Sequence, residues 1–228
     1  MYKRQPDGSR VAYVCWNEAE GEPPPGLYLV DADGGPSVRL AEASRAVLDG
    51  PTFWLLDEPI FSPDGTQIAY VEMVGEWPQS ENRVWMVNAD GSDAHVIVEN
   101  EVTLEPGLIV GLAWSPTGDR IAMGLVRDSD SGKYYYDPFG ASVDAGIYTF
   151  SPDGSRFSLV IEGGVRPTWS PDGSRIAFEG LGRDGARSRA LAAKGEQPSR
   201  FMIADADGSD RQNLNLPAVG PGLWHPGR

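Results

Sequence analysis

Two short phrases, each recurring four times and always in the same order, constrain this chain more than any other feature. The first runs Phe61-Ser62-Pro63-Asp64-Gly65-Thr66-Gln67-Ile68-Ala69-Tyr70, then Trp114-Ser115-Pro116-Thr117-Gly118-Asp119-Arg120-Ile121-Ala122-Met123, then Trp169-Ser170-Pro171-Asp172-Gly173-Ser174-Arg175-Ile176-Ala177-Phe178. Its earliest copy is Gln5-Pro6-Asp7-Gly8-Ser9-Arg10-Val11-Ala12-Tyr13. The second phrase follows each copy after a variable gap, as Leu27-Tyr28-Leu29-Val30-Asp31-Ala32-Asp33-Gly34, Val84-Trp85-Met86-Val87-Asn88-Ala89-Asp90-Gly91, Ile147-Tyr148-Thr149-Phe150-Ser151-Pro152-Asp153-Gly154 and Phe201-Met202-Ile203-Ala204-Asp205-Ala206-Asp207-Gly208. Between the key prolines Pro6, Pro63, Pro116, Pro171 and Pro226 the spacings are 57, 53, 55 and 55 residues.

Each phrase encodes a strand, a tight turn and the start of a second strand. Proline presets φ at the first turn position, aspartate bonds back to nearby amides, and glycine accepts the positive φ that follows. The flanking segments alternate or run in short β-branched and aromatic blocks, as in 10–14, 67–71 and 94–98, which is strand behaviour. Four strands per repeat follow. Strand A ends at the aromatic before Ser-Pro, strand B carries Ile-Ala-aromatic, strand C precedes Ala-Asp-Gly, and strand D follows that turn. Four-stranded sheets repeating at this period read as propeller blades, an all-β fold.

On these residues the chain resembles the WD40-like Pro-Asp repeats of TolB-type β-propellers, a phrase also found in the propeller domains of prolyl oligopeptidase relatives. The resemblance spans almost the whole chain. It implies a single β-propeller domain over 1–228, with blades at about 5–50, 51–104, 105–163 and 164–216. Two departures stand out: Thr117 takes the turn aspartate's place, and Gln5 takes that of serine. Arg4 likewise stands where an aromatic precedes the corner in the other copies, whereas Trp224 precedes Pro226 near the C-terminus. Segment 217–228 is therefore expected to complete the first blade as its inner strand. The alternatives are a fragment of a larger propeller and a ring built by two copies.

Composition narrows the partners. With 19 Lys and Arg against 33 Asp and Glu, the formal charge of −14 opposes nucleic acid, whose affinity for proteins comes mainly from cations displacing counterions. Cys15 is the one cysteine, so neither a disulfide within the chain nor a thiolate zinc site holds the fold. The 28 glycines and 19 prolines fit a chain with many turns. No apolar run reaches the roughly 18 residues of a membrane helix. Met1 leads straight into the first repeat with no apolar secretory region, which reads as a cytoplasmic protein or a mature or trimmed form. The family resemblance instead implies a periplasmic or extracellular location.

In a propeller the A–B and C–D corners share one face, and the B–C and D–A loops share the other. The corners here are short and uniform, whereas the loops differ in length and composition, and variable loops on a rigid scaffold are where binding concentrates. Aromatic residues and arginine are frequent interface anchors. Trp77, Tyr134, Tyr135, Tyr136 and Phe139, with Arg183, Arg187 and Arg189 of a basic fourth B–C segment, are therefore the candidate protein-binding residues. The alternative is that the tyrosines fold back on the propeller. Residues 41–48 read as one or two helical turns before the next inner strand begins near 53–56.

Motifs for other chemistry fail on spacing. Asp205-Ala206-Asp207-Gly208-Ser209-Asp210 begins like a calcium loop, but Asp210 and Leu216 stand where Gly and Glu are required. There is no Gly-x-Ser-x-Gly elbow, and the two histidines, His95 and His225, fit no nucleophile pattern. Neither a cofactor nor a metal is expected, and no catalytic residue is assigned. Asp57 and Glu58, and Asp128, Asp130 and Asp137, are conceivable carboxylate sets, with solvated loop acids as the default. The leading expectation is a noncatalytic propeller that binds another protein through its loop face. The alternatives are a propeller hydrolase or lyase using cavity carboxylates, and the noncatalytic propeller module of a prolyl-oligopeptidase-like peptidase.

Overall fold

The computed structural model describes residues 2–15, 23–42, 55–74, 81–99, 108–128, 143–180 and 200–217. All regular structure among them is β. Four antiparallel sheets of four strands each follow one another along the chain, every strand hydrogen-bonded to the next in sequence. The first sheet holds β1 (Tyr2–Arg4), β2 (Arg10–Cys15), β3 (Gly26–Asp31) and β4 (Val38–Glu42). The second holds β5 (Leu55–Phe61), β6 (Gln67–Val74), β7 (Glu81–Asn88) and β8 (His95–Glu99). The third holds β9 (Leu108–Trp114), β10 (Ile121–Asp128), β11 (Val143–Phe150) and β12 (Ser158–Glu162). The fourth holds β13 (Gly164–Trp169), β14 (Arg175–Gly180), β15 (Arg200–Asp205) and β16 (Gln212–Pro217). This is the sheet content of four propeller blades.

The chain forms two compact units, Met1–Pro106 and Gly107–Arg228, each with two sheets. In the first unit Ala12, Val14, Leu27 and Leu29 share a core with Phe61, Ile68, Tyr70 and Val87. In the second, Ala122, Ile147 and Ile161 share one with Trp169, Ile176, Phe178 and Ala204. In the second, third and fourth sheets the second strand is covered on both faces, which explains the unbroken apolar runs of those B phrases, whereas β2 alternates buried and half-buried residues. Ile68, Ala69, Tyr70 and Val71 are all buried. Burying an aliphatic side chain of this size stabilises by about 1.5–3 kcal/mol. The fourth strands are outer edges and are less covered, as β4, with three of five residues exposed, and the two exposed ends of β8 show.

Tyr2–Arg4 pair with Tyr13, Ala12 and Val11 as the first strand of the first sheet. Pro217 ends β16, and residues 218–228, in which the closing strand is expected, lie outside the described residues. At the first corner Arg4 Nη1 donates to the Gly8 carbonyl at 3.3 Å. Trp114 makes the equivalent bond, Nε1 to the Gly118 carbonyl at 3.2 Å. Arginine thus does at the first corner what the aromatic does at the third. Contrary to the expected helical turn, Ala41 and Glu42 extend β4, paired with Leu27 and Gly26; residues 43–54 are outside the described set.

Because consecutive strands are antiparallel, each sheet has a corner end and a loop end. The corners span five to seven residues each, from 5–9 to 206–211. The B–C connections cover 16–25, 75–80, 129–142 and 181–199, and the D–A connections 43–54, 100–107 and the single residue Gly163.

Candidate functional site

At the corner end the charged groups serve the backbone. Asp64 accepts the Ser62 hydroxyl, the Thr66 amide at 3.0 Å and the Thr66 hydroxyl at 2.8 Å. Asp172 repeats the arrangement with Ser170 and Ser174. Stabilised as anions mainly by these donors, the corner carboxylates titrate below the usual carboxylate range, Asp172 at about 2. Asp90, Asp153 and Asp207 are held down the same way by Ser92, Ser155 and Ser209 in the C–D corners. At the third corner the roles are exchanged: Asp119 accepts the hydroxyls of Thr117 and Ser115, so the Thr117 departure is compensated two residues later.

Gln5, the other departure, joins two sheets. Its Nε2 donates to the Gly65 carbonyl at 2.9 Å, while its Oε1 accepts from Arg10 Nε at 2.8 Å. Gly65, with φ of 72°, has no room for a Cβ, which would stand 2.5 Å from Gln5 Nε2. In the second unit Trp169 Nε1 donates to the Ala113 carbonyl at 3.1 Å. The corner end is thus occupied with turn geometry and sheet-to-sheet contact.

The loop end carries the buried charge. In the second sheet Glu72, 3% exposed, accepts from Trp85 Nε1 at 2.8 Å, and Trp85 stacks on Tyr70 with ring centroids 6.4 Å apart. Burial, with the nearby Glu72, pushes the Tyr70 hydroxyl well above its ordinary range, so it stays neutral. In the first sheet Tyr13 stacks on Tyr28 at 5.4 Å, and the Tyr28 hydroxyl donates to the Pro24 carbonyl at 2.6 Å. In the fourth, Arg166 Nη1 meets Glu179 Oε2 at 2.7 Å; the Glu179 side chain is 7% exposed and that of Arg166 31%.

Arg166 owes its position to a β-bulge. In β13, Arg166 and Pro167 together oppose one residue of β14, between the pairs Val165–Glu179 and Thr168–Ala177. Bulges also interrupt β5 between Asp57 and Ile60 and β9 between Ile109 and Leu112. The residue three before the corner aromatic, Glu58, Gly111 or Arg166, falls within the bulge each time. A bulge re-aims a side chain relative to the pleat. At Arg166 the backbone adopts φ of 51°, a left-handed value uncommon outside glycine, asparagine and aspartate. It is held there by close packing: a Cβ on Gly111 would lie 2.8 Å from Arg166 Cα, and one on Gly124 would lie 3.0 Å from its amide nitrogen.

The sequence-derived candidates Trp77, Tyr134, Tyr135, Tyr136, Phe139, Arg183, Arg187 and Arg189 all lie outside the described residues, as do Asp130 and Asp137. The backbones of Asp57, Glu58 and Asp128 fall in β5 and β10. Sequence reasoning missed Glu72, Arg166 and Glu179. A signal was present: each carboxylate interrupts an otherwise apolar strand, and a proline follows the bulged position at Glu58-Pro59 and Arg166-Pro167. Among the described residues no group of three or more His, Cys, Asp or Glu is arranged to hold a metal ion.

No protein-family model matches the chain. Solved structures do. A protein described as TolB from Agrobacterium tumefaciens matches with a TM-score of 0.60 at 20% identity, over 93% of this chain and 63% of its own. A prolyl endopeptidase matches with a TM-score of 0.60 at 16% identity, over 96% of this chain and 29% of its own. An oligogalacturonate lyase from Vibrio parahaemolyticus matches with a TM-score of 0.58 at 13% identity, over 92% of this chain and 50% of its own. The chain therefore spans less than two thirds of the length of each of these structures. At such identities the likeness is one of fold, and the chain has the TolB-like β-propeller fold.

Proposed function

We propose that the chain is a noncatalytic propeller scaffold that binds a protein partner through the loop end of its sheets. The observation that carries this reading is the contrast between the two ends. Corners of five to seven residues are filled by their own hydrogen bonds, whereas the B–C connections range from 75–80 to 181–199 and so provide variable surface on a fixed frame. Trp77, Tyr134, Tyr135, Tyr136, Phe139, Arg183, Arg187 and Arg189 belong to those connections and are the proposed anchors. The buried loop-end carboxylates Glu72 and Glu179 already have internal donors in Trp85 and Arg166, which supports a scaffold over acid–base chemistry. The family resemblance adds a location outside the cytoplasm to the proposal.

The test is deletion of 131–142, which spares β11. Tagged intact and deleted chains would be used to capture companions from the native source, with the companion identified by mass spectrometry. Loss of a specific companion on deletion, with an unchanged melt, supports the interface. Equal capture by both chains sinks it. A second reading, the propeller module of a larger peptidase, is favoured by coverage of only 29% of the matching endopeptidase. A full-length transcript encoding a hydrolase domain in continuous frame would establish that reading.

A further inference from the structure

We propose that Asp33, in the C–D corner of the first sheet, is a site of spontaneous backbone modification, where the Asp33-Gly34 linkage closes to a succinimide and reopens as isoaspartate. Among the described residues Asp33 is one of seven aspartates followed by glycine, all of them in corners. In the other six, the serine or threonine two residues on donates both its amide and its hydroxyl to the carboxylate: Ser9 to Asp7, Thr66 to Asp64, Ser92 to Asp90, Ser155 to Asp153, Ser174 to Asp172 and Ser209 to Asp207. These donors hold the six as anions that titrate below the usual carboxylate range, and an anion is a poor electrophile. Beside Asp33 the hydroxyl residue is replaced by Gly35, and the exposed Asp33 carboxyl makes no hydrogen bond or ion pair among the described residues.

The backbone of this corner is looser as well, and the cause is the next residue. In the other C–D corners the amides of Asn88, Ser151 and Asp205 donate to the carbonyls of Ser92, Ser155 and Ser209 at 3.0, 2.8 and 2.9 Å. The residue after each serine, Asp93, Arg156 or Asp210, is left-handed. Pro36 takes that position in the first sheet, and its ring locks φ at about −65°. The corresponding bond from the Asp31 amide to the Gly35 carbonyl is not made, and the turn keeps the Gly34 amide on the Asp31 carbonyl at 2.9 Å. Packing adds no restraint: a Cβ on Gly34 or Gly35 would meet nothing within 4 Å, whereas one on Gly91 would touch Leu40 and one on Gly208 would collide with the Val160 carbonyl.

When the turn bond opens, the Gly34 nitrogen attacks Cγ of the protonated Asp33 carboxyl, with no side chain on glycine to obstruct it. The N–Cγ bond forms as the Cγ–OH bond breaks, and the hydroxyl leaves with the amide proton as one water. A solvent water then cleaves one of the two ring C–N bonds. Cleavage at Cγ restores aspartate. Cleavage at the former main-chain carbonyl routes the backbone through Cβ and Cγ, which lengthens it by one methylene and leaves a free α-carboxylate. One water is lost and one regained, with no redox change. The longer backbone lies beside the Leu29–Val38 pair, so β4 should fray as the chain ages.

The experiment incubates the folded chain at neutral pH in water enriched in heavy oxygen, beside a sample unfolded in guanidinium, and sequences acid-protease peptides by electron-transfer mass spectrometry. The seven pairs should react at similar rates when unfolded. In the folded chain Asp33 should gain isoaspartate and one heavy oxygen at least about tenfold faster than the six held acids, the effect of lacking their charge-assisted bonds. Asp49-Gly50 and Asp184-Gly185 lie outside the described residues and are scored apart. The double variant Gly35→Ser/Pro36→Asp copies the Asp-Gly-Ser-Asp of 90–93 and 207–210, and should slow the reaction at Asp33 about tenfold. Asp33→Glu should abolish the product at that position. Equal rates at Asp33 and at the held acids of the folded chain, or a rate unchanged in the double variant, overturns the proposal. Should the double variant fail to fold, the comparison of the seven acids within one folded chain still decides it.

Discussion

Asp119 accepts the hydroxyl of Thr117, the reverse of the arrangement at Asp64 and Thr66, where the acid comes first and the hydroxyl second. What the corner needs is one carboxylate and two hydroxyls around it, and either order supplies them. The double exchange Thr117→Asp/Asp119→Thr should therefore leave thermal stability within about 0.5 kcal/mol of wild type, the range of surface substitutions. Asp119→Asn alone weakens the charge-assisted bonds and should cost about 1 kcal/mol, seen as a drop of about 2–4 °C in the melt. Equal losses in both variants would mean that the order matters.

The corner acids also set the response to pH. The folded pKa values of Asp64, Asp90, Asp153, Asp172 and Asp207 lie below the ordinary 3.8, so each of these binds its proton less readily in the native state than in the unfolded chain. Their contribution is fully present above the unfolded value and disappears as pH falls through the folded one. Denaturant midpoints should accordingly be flat with respect to these groups above about pH 5 and decline between about pH 4 and the value of about 2 held by Asp172. Asp172→Asn should be less stable at pH 7 and show a shallower acid decline. A parallel pair of curves would refute the assignment.

Arg156 occupies a left-handed position with φ of 56°, where Asp93 and Asp210 stand in the equivalent corners of the second and fourth sheets. Aspartate tolerates this conformation and arginine does so at a cost of about 1–2 kcal/mol. Glycine removes that cost but loses about 0.5–1 kcal/mol to the entropy of the unfolded chain. Arg156→Gly should thus raise stability by about 0.5 kcal/mol, and Arg156→Asn by a similar amount, measured by chemical denaturation. A loss of stability in both would show that the arginine side chain earns its place through contacts.

Gly111 packs directly against the bulge of the candidate site. Its φ of 93° and the 2.8 Å approach of a Cβ to Arg166 Cα leave no room for even a methyl group. Gly111→Ala should cost about 2–4 kcal/mol, combining backbone strain with overpacking. It should also shift the amide resonances of 164–168 more than those of the distant corner at 207–209. Uniform small shifts with unchanged stability would contradict the packing.

The corners were legible in the sequence because proline, aspartate and glycine state their own dihedral preferences residue by residue. Strand order followed, since each turn joins neighbours. The site was less legible for a physical reason. Arg166 and Glu179 are thirteen apart in sequence and meet only because a bulge shifts the register of β13 against β14. Without the bulge, parity alone would place alternate residues on opposite faces. Gln5 was read as a departure from serine, yet its meaning lay in Gly65 of the next sheet, 60 residues away. Local patterns cannot name a partner at that distance.

Between the third and fourth sheets the chain has only Gly163, its amide bonded to the Ala145 carbonyl at 2.6 Å. A tether that short holds the two sheets at high effective concentration, so closing their interface costs little of the loop entropy that longer connections impose. The pair should therefore assemble as one kinetic step and resist proteolytic separation, even as the long B–C connections accept insertions. Any lengthening at Gly163 would slacken the packing of the third sheet against the fourth, where Gly111 and Gly124 close on Arg166.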